Sequence, residues 1–135
     1  MLPLMNSRVR FAETDQMGVA HHSAYVVWLE AGRVEWLRER GLSYRQIEED
    51  GISLAVSRIE VAYRAATFFD DELVITPRLE AVRSRRVVFS YRVERGQTLV
   101  ATGVTEHVPT DRTGRAVTLP VEWLEALTEL LATNP

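Results

Sequence analysis

Asp15 opens a loop that runs through Gly18 into a long apolar segment, TDQMGVAHHSAYVVWLEAGRVEWLRER, residues 14–40. Its side chain is a carboxylate, ionised at neutral pH. The start of a helix carries backbone N–H groups without intrahelical partners and the positive end of the peptide dipoles, so it can hold a developing oxyanion. An ester or thioester carbonyl placed between the two can have its carbon attacked and its oxygen stabilised together. Two roles are open to Asp15: direct nucleophilic attack, or general-base activation of water. The competing structural role is an Asp that accepts backbone N–H bonds in a turn, the commoner fate of Asp in loops.

His21 and His22 follow, and with His107 they are the chain's three histidines. Adjacent residues on a helix point their side chains about 100° apart, so the pair does not suit one metal ion, and no metal site is expected. His22 is placed to offer its backbone N–H as the oxyanion donor. His21 is expected to face the substrate pocket, and Tyr25 to line its wall with a hydroxyl that needs a partner. For both histidines the plain alternative is a polar loop-to-helix junction.

The elements that must position these groups are readable from period and punctuation. Arg8 to Phe11 alternates as a short strand leading to Asp15. From Ala24 to Leu37 apolar residues occupy nearly the whole circumference, which predicts an enclosed helix; Ser23, His22 or His21 caps its start and Gly41 stops it. Ala24, Ala31 and Gly32 leave room for a close neighbour. Glu30 and Glu35 are expected to pair with Arg33, Glu30 alternatively with a partner chain. A short helix begins at Ser43 and closes at Gly51.

Beyond Gly51 the period is two. Leu54 and Val56 are out of phase with Ile59, Val61 and Tyr63, so a bulge is expected near Ser57. Leu73, Ile75 and Leu79 form the next strand, with Pro77 at an edge or irregular position. Val87, Phe89, Tyr91 and Val93 follow, then a turn at Arg95-Gly96-Gln97. The strand Leu99 to Val108 carries Gly103, which lets the sheet press on the helix. Asp111 to Gly114 is a turn, and Pro120 opens a final helix, Val121 to Leu131. The order is α+β: one domain, residues 1–135, with an antiparallel sheet curling around a helix. A sheet of this kind has edges left to cover, so a homodimer or a homotetramer built as a dimer of dimers is expected.

Residues 9–41, VRFAETDQMGVAHHSAYVVWLEAGRVEWLRERG, together with 61–75 and 102–111, resemble the hotdog-fold acyl-CoA thioesterases of the 4-hydroxybenzoyl-CoA thioesterase family. The shared pattern is a strand, then Asp15, Gly18, His22 and Tyr25. The resemblance implies a five-stranded antiparallel sheet around a central helix and active sites at a dimer interface. It also implies Asp15 as the catalytic carboxylate, an oxyanion-binding N–H near His22, and coenzyme A as the acyl carrier, part of the substrate rather than a cofactor. This sequence departs from the family at His21, where an aromatic residue is usual, at Ala24, where Asn is frequent, and at Ala66, where Pro is common. Coenzyme A carries phosphates, and guanidinium forks bind phosphates well. The tip Arg83-Ser84-Arg85-Arg86, with Arg64 or Arg58, is therefore the expected nucleotide contact, against the plain reading of a solvated turn. Two other functions fit the same fold: an acyl-thioester hydratase or dehydratase, which needs a His side chain paired with Asp, and a silent module that binds acyl-CoA or acyl carrier protein.

Composition narrows the field further. A net charge of −3 argues against a nucleic-acid partner, and no apolar run reaches membrane-spanning length, so a cytoplasmic location is expected. There is no Cys, hence no thiol nucleophile, and all sixteen basic residues are Arg, hence no Schiff-base lysine.

Overall fold

The structure, a computed structural model, describes residues 5–133. Strand β1 (Met5–Arg8) and a single 3-10 turn (Phe11–Glu13) lead to helix α1 (His22–Glu39) and helix α2 (Tyr44–Glu49). Then come β2 (Ser53–Tyr63), β3 (Glu72–Arg83), β4 (Arg86–Arg95), β5 (Thr98–Thr110) and helix α3 (Val121–Ala132). The strands form one five-stranded sheet in the order β1-β3-β4-β5-β2, every pairing antiparallel. The chain has the hotdog fold: an α+β arrangement of a curled sheet around a long helix.

α1 meets the sheet through pairs of residues one turn apart: Ala24 and Tyr25, Trp28 and Leu29, Gly32 and Arg33, Trp36 and Leu37 are all buried. All of these but Gly32 and Arg33 pack with Leu73, Ile75, Leu79, Val87, Phe89 and Val93 from β3 and β4 into one core. Two glycines set the closeness of that contact. A Cβ on Gly103 of β5 would lie 2.7 Å from Leu29 Cδ1, and one on Gly32 would lie 2.6 Å from Ile75 Cγ2, so neither position has space for a side chain. The neighbour that Gly32 admits is thus a side chain of β3.

Several expectations are corrected. The first strand is Met5–Arg8; Val9 is buried just past its end, whereas Phe11 lies in the 3-10 turn and is 77% exposed, so the apolar alternation there does not mark one strand. α1 is not enclosed within one chain, because the sheet covers only one side of it and leaves Val26, Val27 and Glu30 exposed. Arg33 is buried and donates to Tyr91 Oη at 3.2 Å, while Glu35 pairs with Arg38 instead. Pro120 caps α3 rather than occupying its first turn.

Other expectations hold. The β2–β5 register shifts between Val56 and Arg58, and Ser43 caps α2 by accepting the Gln46 N–H. Pro77 lies outside residues 72–75, the part of β3 that β1 pairs with among the described residues. Gly96 and Gly114 take the positive φ their turns require, 58° and 86°. Among the described residues no helix is long and apolar enough to cross a membrane.

Candidate active site at the head of the central helix

Residues 14–20 form a closed loop. Thr14 bridges Ala20, the Asp15 N–H donates to Val19 O at 2.8 Å, and Gly18 turns the chain at φ 78° while donating to Asp15 O at 3.0 Å. The Asp15 side chain shapes this turn: its Oδ1 accepts the N–H of Met17 at 2.8 Å and of Val19 at 3.2 Å. The turn role and a chemical role are compatible, because both bonds fall on one oxygen. Among the described residues nothing engages Oδ2, and the residue is exposed.

The loop is sewn to the chain between β2 and β3. Ala20 N–H donates to Thr67 O at 2.7 Å, and Val19 bridges Phe68. The buried Tyr25 hydroxyl meets Thr67 Oγ1 at 2.9 Å, and its ring meets Tyr63 edge-on at 5.0 Å. Tyr63 Oη donates to the His22 carbonyl at 3.0 Å. These contacts frame a cleft of about 310 Å³ lined by Val19, Ala20, His22, Tyr25, Tyr63, Arg64, Ala65 and Ala66.

α1 begins at the edge of this cleft. His21 is its cap; His21 N–H donates to Glu13 O at 2.6 Å, Ser23 N–H donates to His21 Nδ1 at 3.2 Å, and Ala24 N–H donates to His21 O at 3.0 Å. Among the described residues no hydrogen bond engages the His22 N–H. An amide left open at a helix start, beside a cleft, is an anion site in the physical sense.

Glu13 lies beneath the loop, 8% exposed. Burial works to raise its pKa, but the Arg10 amide at 2.8 Å, the Arg10 guanidinium and the Trp28 indole N–H at 2.9 Å together hold it below the ordinary carboxylate range. An ionised Glu13 thus ties the loop to α1 at Trp28.

The structure brings His22, Tyr25 and Arg64 together around this cleft, whereas Gly18 turns the adjoining loop and does not line it. Asp15 does not line it; it stands in the adjoining loop, joined to the lining residue Val19 by two hydrogen bonds. The His21 ring caps the helix and packs on His22, with ring centroids 4.1 Å apart, instead of lining the cleft. The Arg83–Arg86 tip lies at the other end of the sheet. Arg86 and Val93 are seven steps apart on β4, and Val93 pairs through Ala101 with Tyr63, which puts the tip roughly 20 Å from the cleft. Arg86 and Arg58 are both bound to Glu106, at 2.6 and 2.9 Å. Glu13, Tyr63 and Thr67 escape a reading of the sequence alone. The one signal for Glu13 is a charged residue three positions after Arg10 at a strand end, the spacing of a capping box.

Known proteins resemble the chain over most of its length. The sequence pattern of the Thioesterase-like superfamily matches residues 9–128. The acyl-CoA thioester hydrolase YbgC of Escherichia coli O157:H7 is 31% identical over 86 residues, 64% of each chain, so the match spans under two thirds of that relative. A 1,4-dihydroxy-2-naphthoyl-CoA hydrolase of Synechococcus is 29% identical over 132 residues, covering 90% of this chain and 89% of that one. Among solved structures, the DHNA-CoA thioesterase of Staphylococcus aureus superimposes with a TM-score of 0.92 at 28% identity, covering 96% of this chain and 90% of its own. A hypothetical protein of Thermus thermophilus, TT1821, gives 0.90 at 40% identity over 96% and 98%. A match that runs from the end of β1 into α3, with the same fold around it, leaves one conclusion: the chain belongs to the thioesterase-like superfamily and is a thioester hydrolase.

Proposed function

We propose that the protein is an acyl-CoA thioesterase that releases a free acid and coenzyme A at the head of α1. The observation that carries this reading is the open His22 N–H at the cleft edge, with the Asp15 loop fastened beside it. The thioester oxygen accepts from that amide as negative charge develops on it. Asp15 Oδ2 either attacks the carbonyl carbon, expelling the coenzyme A thiolate and leaving an acyl-enzyme anhydride that water cleaves, or takes a proton from a water that attacks directly. Tyr25 and Tyr63 wall the acyl end, and Arg64 offers a cation toward the phosphates of coenzyme A.

The cleft is completed by a second copy of the chain. β2 is an edge strand of eleven residues, exposed along most of its length, with Val56, Ile59 and Tyr63 open to solvent. An edge that long and apolar is suited to pairing with its twin. In such a homodimer, or a tetramer made of two, the Arg83–Arg85 tip reaches a cleft only from another copy.

The test is thiol release from a panel of acyl-CoA thioesters, with 1,4-dihydroxy-2-naphthoyl-CoA included because two relatives bear that activity in their names. Asp15→Asn should lower kcat by about a thousandfold. Full activity in that variant refutes the assignment, and alkene hydration without thiol favours a hydratase. Single-turnover hydrolysis in labelled water separates the two roles of Asp15: nucleophilic attack leaves the label in the carboxylate, base catalysis in the product acid.

A further inference from the structure

We infer that His21 is a positioning residue for the thioester-hydrolysis reaction: its imidazole, as the N-cap of α1, holds the first turn so that the His22 amide stays open and aimed at the cleft. The inference rests on the reading of His22 as the oxyanion donor. His21 is held from both sides. Its N–H is anchored on Glu13 O at 2.6 Å, and its backbone, at φ −65° and ψ 142°, is extended as a capping residue's is. Its Nδ1 accepts the Ser23 N–H at 3.2 Å and lies 2.8 Å from Ser23 Oγ. The ring then lies against the His22 ring, with centroids 4.1 Å apart and planes tilted by 32°.

The first-turn amides therefore divide. That of Ser23 is taken by the imidazole and that of Ala24 by the His21 carbonyl, while that of His22, between the cap and Ser23, has no partner among the described residues. Removing the cap frees the Ser23 amide, lets the first turn fray and spreads the orientations of the His22 N–H. An oxyanion donor is worth most when it is already oriented, so the loss falls on the transition state more than on substrate binding.

His21→Ala and His21→Asn separate this role from others, because Asn supplies a side-chain oxygen of good capping geometry and no imidazole. His21→Ala should lower kcat five- to tenfold with KM changed less than twofold, and His21→Asn should return kcat to within twofold of the parent. Hydrogen exchange of the Ser23 amide gives a reading independent of turnover: slow in the parent and in His21→Asn, at least fivefold faster in His21→Ala. Unchanged exchange in His21→Ala overturns the cap. An Asn variant as impaired as the Ala variant overturns it too, since the imidazole would then be needed for itself. If the parent releases no thiol from any acyl-CoA while the exchange pattern holds, the functional reading fails and the cap stands.

Discussion

Two groups of polar side chains are buried against α1, and they are built differently. At the head of the helix, Glu13 with Trp28 and Tyr25 with Thr67 are each paired, and each pair joins segments far apart in the chain. Two turns further on, Arg33, Tyr91, Thr105 and His107 form a chain of contacts inside the core: Arg33 to Tyr91 at 3.2 Å, Tyr91 to Thr105 at 2.5 Å, His107 Nε2 to Thr105 at 2.8 Å. There the pairing is incomplete. Among the described residues Arg33 Nε and His107 Nδ1 have no hydrogen-bond partner of good geometry, and no carboxylate forms an ion pair with Arg33. The first group stands beside an opening, with Tyr25 in its wall. The second is closed in, so its incomplete pairing weighs on stability alone. The difference predicts that damage to the first is read in turnover and damage to the second in unfolding.

The largest effect should come from acid. Burial, then the nearby Arg33 charge, pull the His107 pKa from 6.5 down to about 4. The folded protein keeps this imidazole neutral while the unfolded chain protonates below 6.5, so its contribution is fully present above pH 6.5 and is lost as pH falls toward 4. A shift of that size corresponds to about 3 kcal/mol. Denaturant unfolding followed from pH 7.5 to 4 should show this loss, and His107→Gln should flatten the curve across the window. An equally steep curve in the variant would mean that the closed cluster is not what acid attacks.

Next in size is Thr105→Val, which keeps the shape and removes the hydroxyl shared by Tyr91 and His107. Two buried groups lose a partner, for a loss of about 1–3 kcal/mol in unfolding free energy. Turnover per folded molecule should stay within twofold. A large fall in kcat with an unchanged melting midpoint would reverse the contrast between the two clusters.

Which parts of this were legible in the chain follows from the range of the contacts. Val87, Phe89, Tyr91 and Val93 alternate because one face of β4 meets the core, and all four are buried. Gly103 was readable as a close approach and the phase change at Ser57 as a bulge, since each is a property of one strand. The first strand was misplaced because β1 is a short edge strand whose sequence, MNSR, has one apolar residue, while of the apolar residues beyond it Val9 is buried past the strand's end and Phe11 belongs to a turn. At the site, Asp15, Gly18, His22 and Tyr25 fall within eleven residues, so their spacing carries the signal. Glu13 to Trp28, Tyr63 to His22 and Tyr25 to Thr67 are 15, 41 and 42 residues apart; the closed loop brings the first pair together and the tertiary fold the other two. The open face of α1 was hidden for a related reason: an apolar circumference does not tell whether the same chain or a second copy covers it.

The smallest and sharpest test sits where the two kinds of contact meet, at Tyr63. It is 49% exposed, yet its hydroxyl donates to the carbonyl of His22, the residue whose amide is the proposed oxyanion donor. Tyr63→Phe keeps the ring that meets Tyr25 edge-on and removes only that hydrogen bond. An exposed bond of this kind contributes little, about 0.5 kcal/mol, because water replaces the lost partner. Water cannot replace the direction the hydroxyl gives to the first peptide of α1, so kcat should fall about threefold while the melting midpoint moves by no more than about 2 °C. The opposite result, a clear drop in melting midpoint at unchanged kcat, would place Tyr63 with the residues that hold the fold and remove it from those that aim the helix.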